Sequence, residues 1–253
     1  MKIALIQSEL VWEDARGNRE RFQHKLEAVS NVDLIVFPEM FSTGFTMHPQ
    51  PIAETMQGET VAWMKAVAAE KAAAICGSVV ITEDGHFYNR LLFVYPSGEI
   101  KTYDKRHLFT LAGEHSAYKP GRDKVIVDYK GFRICLLVCY DLRFPVFSRN
   151  NDDYDLLLYV ANWPQPRIAA WDTLLKARAI ENMAFVIGVN RVGKDANGHN
   201  YVGHSQAYDA LGTSLLETSE RDEVLVVELN KNALLETRQK FGFLNDRDQF
   251  TVV

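Results

Sequence analysis

The strongest constraint on the fold is the way short apolar runs alternate with amphipathic helical patterns along the first two-thirds of the chain. Residues 2–7 form an apolar run that predicts a strand, and residues 14–30 place apolar side chains at helical spacing with charges elsewhere. Residues 33–37 predict a second buried strand, which Pro38 ends. A strand–helix–strand order of this kind is typical of α/β and layered α+β domains, because helices cover the strands.

The same order begins again in the second half of the chain. Residues 132–138 and 155–160 predict two more strands, with a short helix at residues 146–150 between them, which suggests an internal duplication. Further strands are predicted at residues 74–82, 86–95, 99–103, 184–190, 204–209, 214–217 and 223–229, and further helices at residues 60–71 and 168–182. No stretch rich in Pro, Gly or Ser separates the halves, so we predict one domain over residues 1–253, with an extended C-terminal tail from about residue 237.

Composition and charge exclude several classes of partner. The 253 residues include 28 Lys and Arg against 33 Asp and Glu, a formal net charge of -5. This mild acidity provides no general attraction to phosphate backbones, so we expect no nucleic-acid partner. No apolar run approaches the ~20 residues that span a bilayer, so we expect no membrane partner. The apolar stretch at the start is too short for a signal peptide.

The three cysteines do not form a disulfide framework, because their number is odd. Cys135 and Cys139 lie four residues apart in one predicted strand, so their Cα atoms would be roughly 13 Å apart, beyond disulfide reach. Together with the absent leader, this predicts a cytoplasmic location. The same pair could be half of a zinc site, but no second Cys or His pair has matching spacing, so we expect no metal and no cofactor.

Residues able to do chemistry follow the ends of apolar strands. Glu39 comes directly after one strand and Cys139 after another, and Lys105 lies between them in a cationic cluster that also follows a strand. A cysteine near a lysine and a carboxylate can exist as thiolate at neutral pH, with the second group able to move a proton. Each residue alone also fits an ordinary role: a buried thiol, a solvated loop charge or a surface turn. Spacing alone does not bring the three together.

Three segments resemble the three motifs of the carbon–nitrogen hydrolase (nitrilase) superfamily, in the same order and at similar separations. These segments are residues 37–41 (FPEMF), 103–109 (YDKRHLF) and 138–145 (VCYDLRFP). The resemblance covers nearly the whole chain, and residues 106–109 and 160–164 (VANWP) look most like the omega-amidase branch, which hydrolyses 2-oxo-dicarboxylate monoamides. It implies an α+β fold: a four-layer α-β-β-α sandwich in which two packed mixed sheets are flanked by helices.

The resemblance also implies roles for individual residues. Cys139 matches the nucleophile, Glu39 the general base and Lys105 the third member, and Glu114 is the candidate for a second glutamate. Cys139 would attack the amide carbon, Lys105 and the backbone N–H of Tyr140 would hold the oxyanion, and ammonia would leave a thioester on Cys139. A water activated by Glu39, alone or together with Glu114, would then release the acid.

The expected reaction is hydrolysis of the terminal amide of a small carboxylate-bearing substrate such as 2-oxoglutaramate. Nitrilase or carbamoyl-amide hydrolase activity is the alternative within the superfamily, and a catalytically silent interaction scaffold is the alternative outside it. Nitrilases typically carry Trp-Glu after the nucleophile, whereas Tyr140 and Asp141 follow here, which favours amides. The presence of Glu39, Lys105 and Cys139 together argues against a scaffold.

The substrate carboxylate requires a cationic or N–H-rich anchor. Arg143, Arg167 and Arg191 are candidates that the sequence does not rank. Phe41, Phe45 and Trp163 follow strand ends and could form apolar walls, although ordinary packing explains each of them at least as well. Phe41, Arg143 and Trp163 are the predicted substrate-binding residues. From the resemblance we also expect a homodimer.

Overall fold

The structure, a computed structural model, describes residues 1–252. The strands are β1 (Lys2–Gln7), β2 (Leu34–Val36), β3 (Ala74–Glu83), β4 (His86–Val94), β5 (Ile100–Asp104), β6 (Val125–Tyr129), β7 (Phe132–Val138), β8 (Leu156–Ala161), β9 (Phe185–Asn190), β10 (Val192–Lys194), β11 (Asn200–Val202), β12 (Gln206–Tyr208) and β13 (Glu223–Glu228). The α-helices are α1 (Ala15–Glu27), α2 (Glu59–Lys71), α3 (Glu114–Ala117), α4 (Pro145–Ser148), α5 (Ile168–Asn182) and α6 (Lys231–Phe241). No helix within the described range is both long and apolar enough to cross a membrane.

The strands form two mixed sheets and one small hairpin. The first sheet has the order β13-β1-β2-β3-β4-β5, in which β1, β2 and β3 are parallel and the other pairs are antiparallel. The second sheet has the order β12-β9-β8-β7-β6, in which β7, β8 and β9 are parallel. Strands β10 and β11 pair only with each other. Both predicted strand–helix–strand units are therefore present, each ending in a parallel strand pair.

Alternation along the strands explains the layers. In β1, Ile3 and Leu5 belong to a core that includes Leu136 and Leu158 of the second sheet. Their neighbours in β1 instead join a separate core with α1 and α2. Because successive side chains of a strand point to opposite faces, the first sheet packs on helices with one face and on the second sheet with the other. Helix α5 covers the outer face of the second sheet through its buried stripe, which includes Trp171. The predicted four-layer α-β-β-α sandwich is confirmed.

Most predicted elements are present within one or two residues of their predicted ends, and α5 has the predicted bounds. The strand predicted at residues 214–217 is wrong, because the structure has only an isolated bridge between Tyr208 and Ser214 there. Strand β6 and the β10–β11 hairpin were not predicted. These segments are short and offer too few residues for a recognisable alternation.

The predicted C-terminal tail needs a correction, because residues 237–241 are the end of helix α6 and are not extended. The Asn230 side chain caps the helix by accepting from the Ala233 N–H. Arg238 and Lys231 then tie the helix to the buried carboxylate of Asp155. The sequence gives a weak signal here because Leu234 is the single fully buried apolar side chain of α6.

Candidate active site

Three segments that follow strand ends supply the central residues of the site. Glu39 lies three residues beyond the end of β2, Lys105 directly follows β5, and Cys139 directly follows β7. The first two belong to one sheet and the third to the other. A fourth residue, Glu114, begins the short helix α3 and is also buried. The site is therefore assembled where the two packed sheets meet.

Lys105 lies between two carboxylates. Its Nζ donates to Glu39 Oε1 at 2.8 Å and to Glu114 Oε2 at 2.9 Å, and all three side chains have no solvent exposure. The side-chain amide of Asn89 donates to Oε1 of Glu39 at 2.8 Å and of Glu114 at 3.2 Å. One buried ammonium group thus neutralises only part of the charge of two carboxylates. Burial of the second carboxylate is possible because further N–H donors complete the hydrogen bonds of both.

Backbone N–H groups supply the remaining donors. The Asn162 N–H donates to Glu39 Oε2 at 2.9 Å, and the Phe109 N–H donates to Glu114 Oε2 at 2.6 Å. The Asn162 side chain also donates to the Glu39 carbonyl at 2.6 Å. Both carboxylates are consequently held in fixed orientations by the chain around them, which is the preorganisation that proton transfer requires.

The pKa values of Lys105 and Glu114 are both raised, but for different reasons. Burial alone lowers the pKa of Lys105, but the charges of Glu114 and Glu39 outweigh it and leave the pKa above its ordinary value. Lys105 is therefore an ammonium group at neutral pH. Burial raises the pKa of Glu114, with the Lys105 charge opposing it, so this carboxyl retains a proton more readily than an exposed glutamate.

Cys139 lies at a strained position in the backbone. Its φ of 46° is in the left-handed region, and it begins the 3-10 turn Cys139–Arg143 directly after the extended Val138. A non-glycine residue in this region costs of order 1–3 kcal/mol, and such strain is concentrated at functional sites. The turn leaves Cys139 9% exposed. It also brings the Tyr140 side chain, like Cys139, to the cavity described below.

The surroundings of Cys139 do not produce the low-pKa thiol that a neighbouring lysine and carboxylate can allow. Burial raises the pKa of the Cys139 thiol, the charge of Glu39 adds to this, and the opposing charge of Lys105 is too weak to reverse it. The pKa therefore lies well above its ordinary value, and the thiol is protonated at neutral pH. Burial also raises the pKa of Cys135, to about 12, and Cys135 and Cys76 have no solvent exposure.

Cys139 opens into a cavity of about 280 Å³, close to the lower end of the range of about 300–1,000 Å³ typical of small-molecule sites. The lining combines aromatic walls with a few polar groups. Its members are Trp12, Phe45, Met47, His48, Phe109, Ala112, Cys139, Tyr140, Arg143, Asn162, Trp163, Pro164, Arg167, Asp195, Asn197, His199 and Tyr201. A cavity of this size and lining suits a small polar molecule.

The structure ranks the three candidate anchors for a carboxylate. Arg143 and Arg167 both line the cavity, each with its guanidinium over an aromatic ring, Trp163 at 5.1 Å and Phe109 at 5.0 Å. Arg191 is 1% exposed, packs over the ring of Tyr201, and donates to backbone carbonyls instead. Of these three candidates, the exposed Arg143 and the half-buried Arg167 are therefore the ones that a ligand in the cavity can reach.

The prediction for Phe41 needs a correction, because this side chain lies in the core beneath α1 and not at the cavity. It has no solvent exposure and packs against Phe37 and Phe22 with ring centroids 4.9 Å and 5.6 Å apart. The turn after β2, in which Met40 has a φ of 43°, leaves the Phe41 ring on the helix side of the sheet. Phe45 lines the cavity instead, and its ring lies 5.2 Å from Lys105 Nζ.

Several residues of the site were not predicted from the sequence. Asn89 is a buried polar residue in the middle of β4, and Asn162 directly follows β8. A buried polar side chain in an apolar strand was the available signal for Asn89, since such a group needs a partner. The β10–β11 hairpin contributes Asp195 and Tyr201, whose hydroxyl donates to Asp195 Oδ2 at 2.9 Å. No local pattern indicated that this hairpin would reach the cavity.

Comparison with known proteins identifies the family. A sequence profile of the carbon-nitrogen hydrolase family matches residues 2–239. The chain is 47% identical over 252 residues to the omega-amidase YafV of Escherichia coli (strain K12), covering 99% of this chain and 98% of that protein. It is 29% identical over 250 residues to the 2-oxoglutaramate amidase of Bacillus subtilis (strain 168), covering 96% of each. A crystal structure of a CN-hydrolase superfamily protein from Xanthomonas campestris, with an arsenic adduct in its active site, matches with a TM-score of 0.98 and 44% identity, covering 100% of this chain and 99% of that chain. With a matching fold and a profile match over almost its whole length, the chain belongs to the carbon-nitrogen hydrolase family and is a hydrolase of carbon–nitrogen bonds.

Proposed function

We propose that the protein hydrolyses the terminal amide of a small carboxylate-bearing substrate, of the 2-oxoglutaramate or 2-oxosuccinamate type, to the acid and ammonia. The observation that carries the proposal is a single cavity lined by the Cys139 thiol and by the guanidinium groups of Arg143 and Arg167. Amide hydrolysis by relatives named omega-amidase and 2-oxoglutaramate amidase supports it.

The first step of the proposed reaction forms the thioester. Because the Cys139 thiol is protonated at rest, its proton must pass to Glu39 as Sγ attacks the amide carbon. The carbonyl oxygen becomes an oxyanion, which Lys105 and the backbone N–H of Tyr140 would stabilise where the charge develops. Glu39 then returns the proton to the departing nitrogen, the C–N bond breaks, and ammonia leaves Cys139 acylated.

The second step hydrolyses the thioester. A water molecule loses a proton to Glu39, attacks the carbonyl carbon and forms a second oxyanion on the same donors. The C–S bond then breaks, the acid leaves, and the proton on Glu39 returns to the Cys139 sulfur. Glu114 would support both steps by sharing Lys105 with Glu39, since the two carboxylates accept from the same ammonium group.

Binding of the substrate carboxylate is proposed for Arg143. Cation–π contact with Trp163 holds the guanidinium over the ring without using its N–H groups, so its donor pairs stay available for a bidentate contact. Arg167 on Phe109 would contribute a second positive charge at the same cavity. Trp163 would then provide both the support for Arg143 and an apolar wall.

The decisive experiment is ammonia release from a panel of 2-oxoglutaramate, 2-oxosuccinamate, butanamide, a nitrile of similar length and a carbamoyl amide. We expect the two 2-oxo acids to be hydrolysed with the highest kcat/KM. Preference for the nitrile or the carbamoyl compound would instead support the alternative activities within the superfamily. Ammonia release from none of them would support a scaffold. Cys139→Ala is the matched control, which should release no ammonia from any member of the panel.

We further propose that the protein is a homodimer. Ile180 on the outside of α5 is 48% exposed, and Leu211 and Leu215, in the loop that follows β12, are 49% and 36% exposed. The loop lies against α5, because a Cβ at Gly212 would come within 2.7 Å of Ile180 Cδ1. Light scattering after size exclusion should give twice the chain mass of 28.8 kDa. Ile180→Asp should reduce it to the monomer mass, and a monomeric wild type would contradict the proposal.

A further inference from the structure

The carboxylate of Asp141 is fully buried and belongs to the turn Cys139–Arg143, which contains the proposed nucleophile Cys139. It lies two residues after Cys139, and its Oδ2 accepts from the backbone N–H of Val138 at 2.9 Å. The side chain thereby links the middle of the strained turn to Val138, the residue that precedes the turn. Tyr140 lies inside this turn, so the Asp141 carboxylate stabilises the backbone conformation that sets the direction of the Tyr140 N–H.

The same carboxylate binds the chain on both sides of Lys105. Two residues before it, the Tyr103 hydroxyl donates to Asp141 Oδ2 at 2.7 Å. Two residues after it, His107 Nδ1 lies 2.7 Å from Asp141 Oδ1, and the His107 backbone N–H donates to the same oxygen at 3.1 Å. The carboxylate oxygens of Asp141 accept all of these hydrogen bonds. In the hydrogen bond between His107 and Asp141 the proton is therefore on Nδ1.

Both donors are held in place by their surroundings. The His107 ring stacks on Phe144 with centroids 3.8 Å apart and an interplanar angle of 6°, and it makes a T-shaped contact with the Phe147 ring at 5.3 Å. Burial, together with the charge of Asp141, raises the pKa of Tyr103 well above its ordinary value, so the hydroxyl keeps its proton. Neither Tyr103 nor His107 belongs to the lining of the cavity that residues 1–252 form around Cys139.

We propose that Asp141, Tyr103 and His107 form a positioning clamp that holds Lys105 and the Cys139–Tyr140 peptide in one fixed arrangement. The clamp directs two separate donors, the Lys105 ammonium and the Tyr140 N–H, at the same developing oxyanion. The inference rests on the proposed function for the reaction that uses these donors. Donors of this kind act through preorganisation, so a small displacement of either one lowers the rate without preventing substrate binding.

Two probes separate the position of the donors from the reactivity of the thiol. Succinic semialdehyde forms a thiohemiacetal: Cys139 Sγ bonds to the aldehyde carbon, the carbonyl oxygen becomes an oxyanion, and the thiol proton passes to Glu39. Its binding therefore needs the oxyanion donors but no amide turnover. Iodoacetamide reacts with Cys139 by displacement of iodide from a saturated carbon, with loss of the thiol proton. Its rate reports the thiol alone.

The informative variant is His107→Phe, which keeps a ring on Phe144 and removes the Nδ1 donor. Because the variant loses a hydrogen bond to a charged group, we expect succinic semialdehyde to bind about tenfold more weakly. The kcat for amide hydrolysis should fall by a similar factor, while KM and the iodoacetamide rate stay close to wild type. Tyr103→Phe removes the other donor and should behave in the same way.

His107→Asn tests the mechanism by rescue, because its side-chain nitrogen can take the position of Nδ1 and donate to Asp141. Aldehyde binding in this variant should return to near the wild-type value. His24→Phe, at an exposed position on α1, is the matched control and should change neither measurement.

Equal losses of aldehyde binding and alkylation in His107→Phe would overturn the clamp, as would unchanged aldehyde binding in that variant. A wild type that alkylates at Cys139 but does not bind the aldehyde would also overturn it. The proposed function is tested separately, by ammonia release from the substrate panel by the wild type, so its failure can be distinguished from failure of the clamp.

Discussion

The guanidinium carbon of Arg143 lies 5.1 Å from the centre of the Trp163 ring, over its face. Both side chains line the cavity of Cys139, although they are twenty residues apart in the sequence and follow different strands. An arginine held over an aromatic ring keeps its planar donor groups free, whereas a lysine at this position would offer a point charge without the planar fork. This arrangement supports our proposal that Arg143 is the anchor for the substrate carboxylate.

Arg143→Lys should weaken recognition of the substrate carboxylate. Loss of the bidentate contact is expected to raise KM for 2-oxoglutaramate about tenfold, with kcat changed much less, because the anchor binds ground state and transition state alike. Steady-state ammonia release measures both constants. Butanamide, which lacks the carboxylate, is the control substrate: its kcat/KM should be the same in the variant and the wild type. An equal loss for both substrates would show that Arg143 supports the site in another way.

Glu39→Gln should change alkylation of Cys139 and amide hydrolysis by Cys139 in opposite directions. Removal of the Glu39 charge eliminates a cause of the raised thiol pKa and leaves Lys105 to lower it. Iodoacetamide should therefore alkylate Cys139 faster at pH 7 in the variant than in the wild type. Amide hydrolysis should fall by about 10²–10⁴, because no group remains to accept and return the proton.

Glu114→Gln is the matched control for this experiment, since its charge is the smallest of the named causes that raise the thiol pKa. It should increase the alkylation rate less than Glu39→Gln does. Mass spectrometry of the alkylated protein identifies the site, and Cys76 and Cys135 should remain unmodified because both are fully buried. Slower alkylation in Glu39→Gln would contradict the charge arrangement described above.

Lys105→Met should affect both activity and stability. Loss of an oxyanion donor costs about 10²–10³ in rate. Removal of the cation also leaves two buried carboxylates without a counter-charge, a change that typically destabilises a protein by about 3–5 kcal/mol. Thermal or denaturant unfolding measures the second effect, and ammonia release measures the first.

The destabilisation of Lys105→Met should depend on pH. Burial already raises the pKa of Glu114, and removal of the opposing Lys105 charge raises it further. A carboxyl whose pKa is higher in the folded state than in the unfolded state favours folding at low pH, and this contribution is lost as the pH rises. The variant should therefore be closer to wild type at pH 5 than at pH 8. A pH-independent difference would exclude the carboxylates as its cause.

The sequence predicts the elements of the fold well where a pattern is long enough to read. Helix α5 was predicted with its observed bounds because apolar residues recur on one face over fifteen residues. Strand β10 has three residues and α6 has one fully buried apolar side chain, so neither produces a periodic signal. Positions after strand ends indicated Glu39, Lys105 and Cys139 as candidates, but their grouping into one site came from the family resemblance, since no local pattern brings segments from two sheets together. Their charge state could not be predicted in the same way: the protonated Cys139 depends on burial and on Glu39, a residue one hundred positions away.

Phe41 and Phe45 offer a direct comparison of a core residue with a cavity residue. Phe41 packs fully buried among aromatic rings beneath α1, so Phe41→Ala should reduce the free energy of unfolding by about 3–5 kcal/mol. Phe45 is partly exposed, lines the cavity and lies over the Lys105 ammonium, so Phe45→Ala should change KM and kcat with a smaller loss of stability. Denaturant unfolding and steady-state kinetics on both variants provide the comparison, with kinetics of Phe41→Ala measured at a temperature at which it remains folded. If Phe41→Ala raised KM more than Phe45→Ala did, the substrate would bind on the α1 side of the sheet and the cavity of Cys139 would not be the binding site.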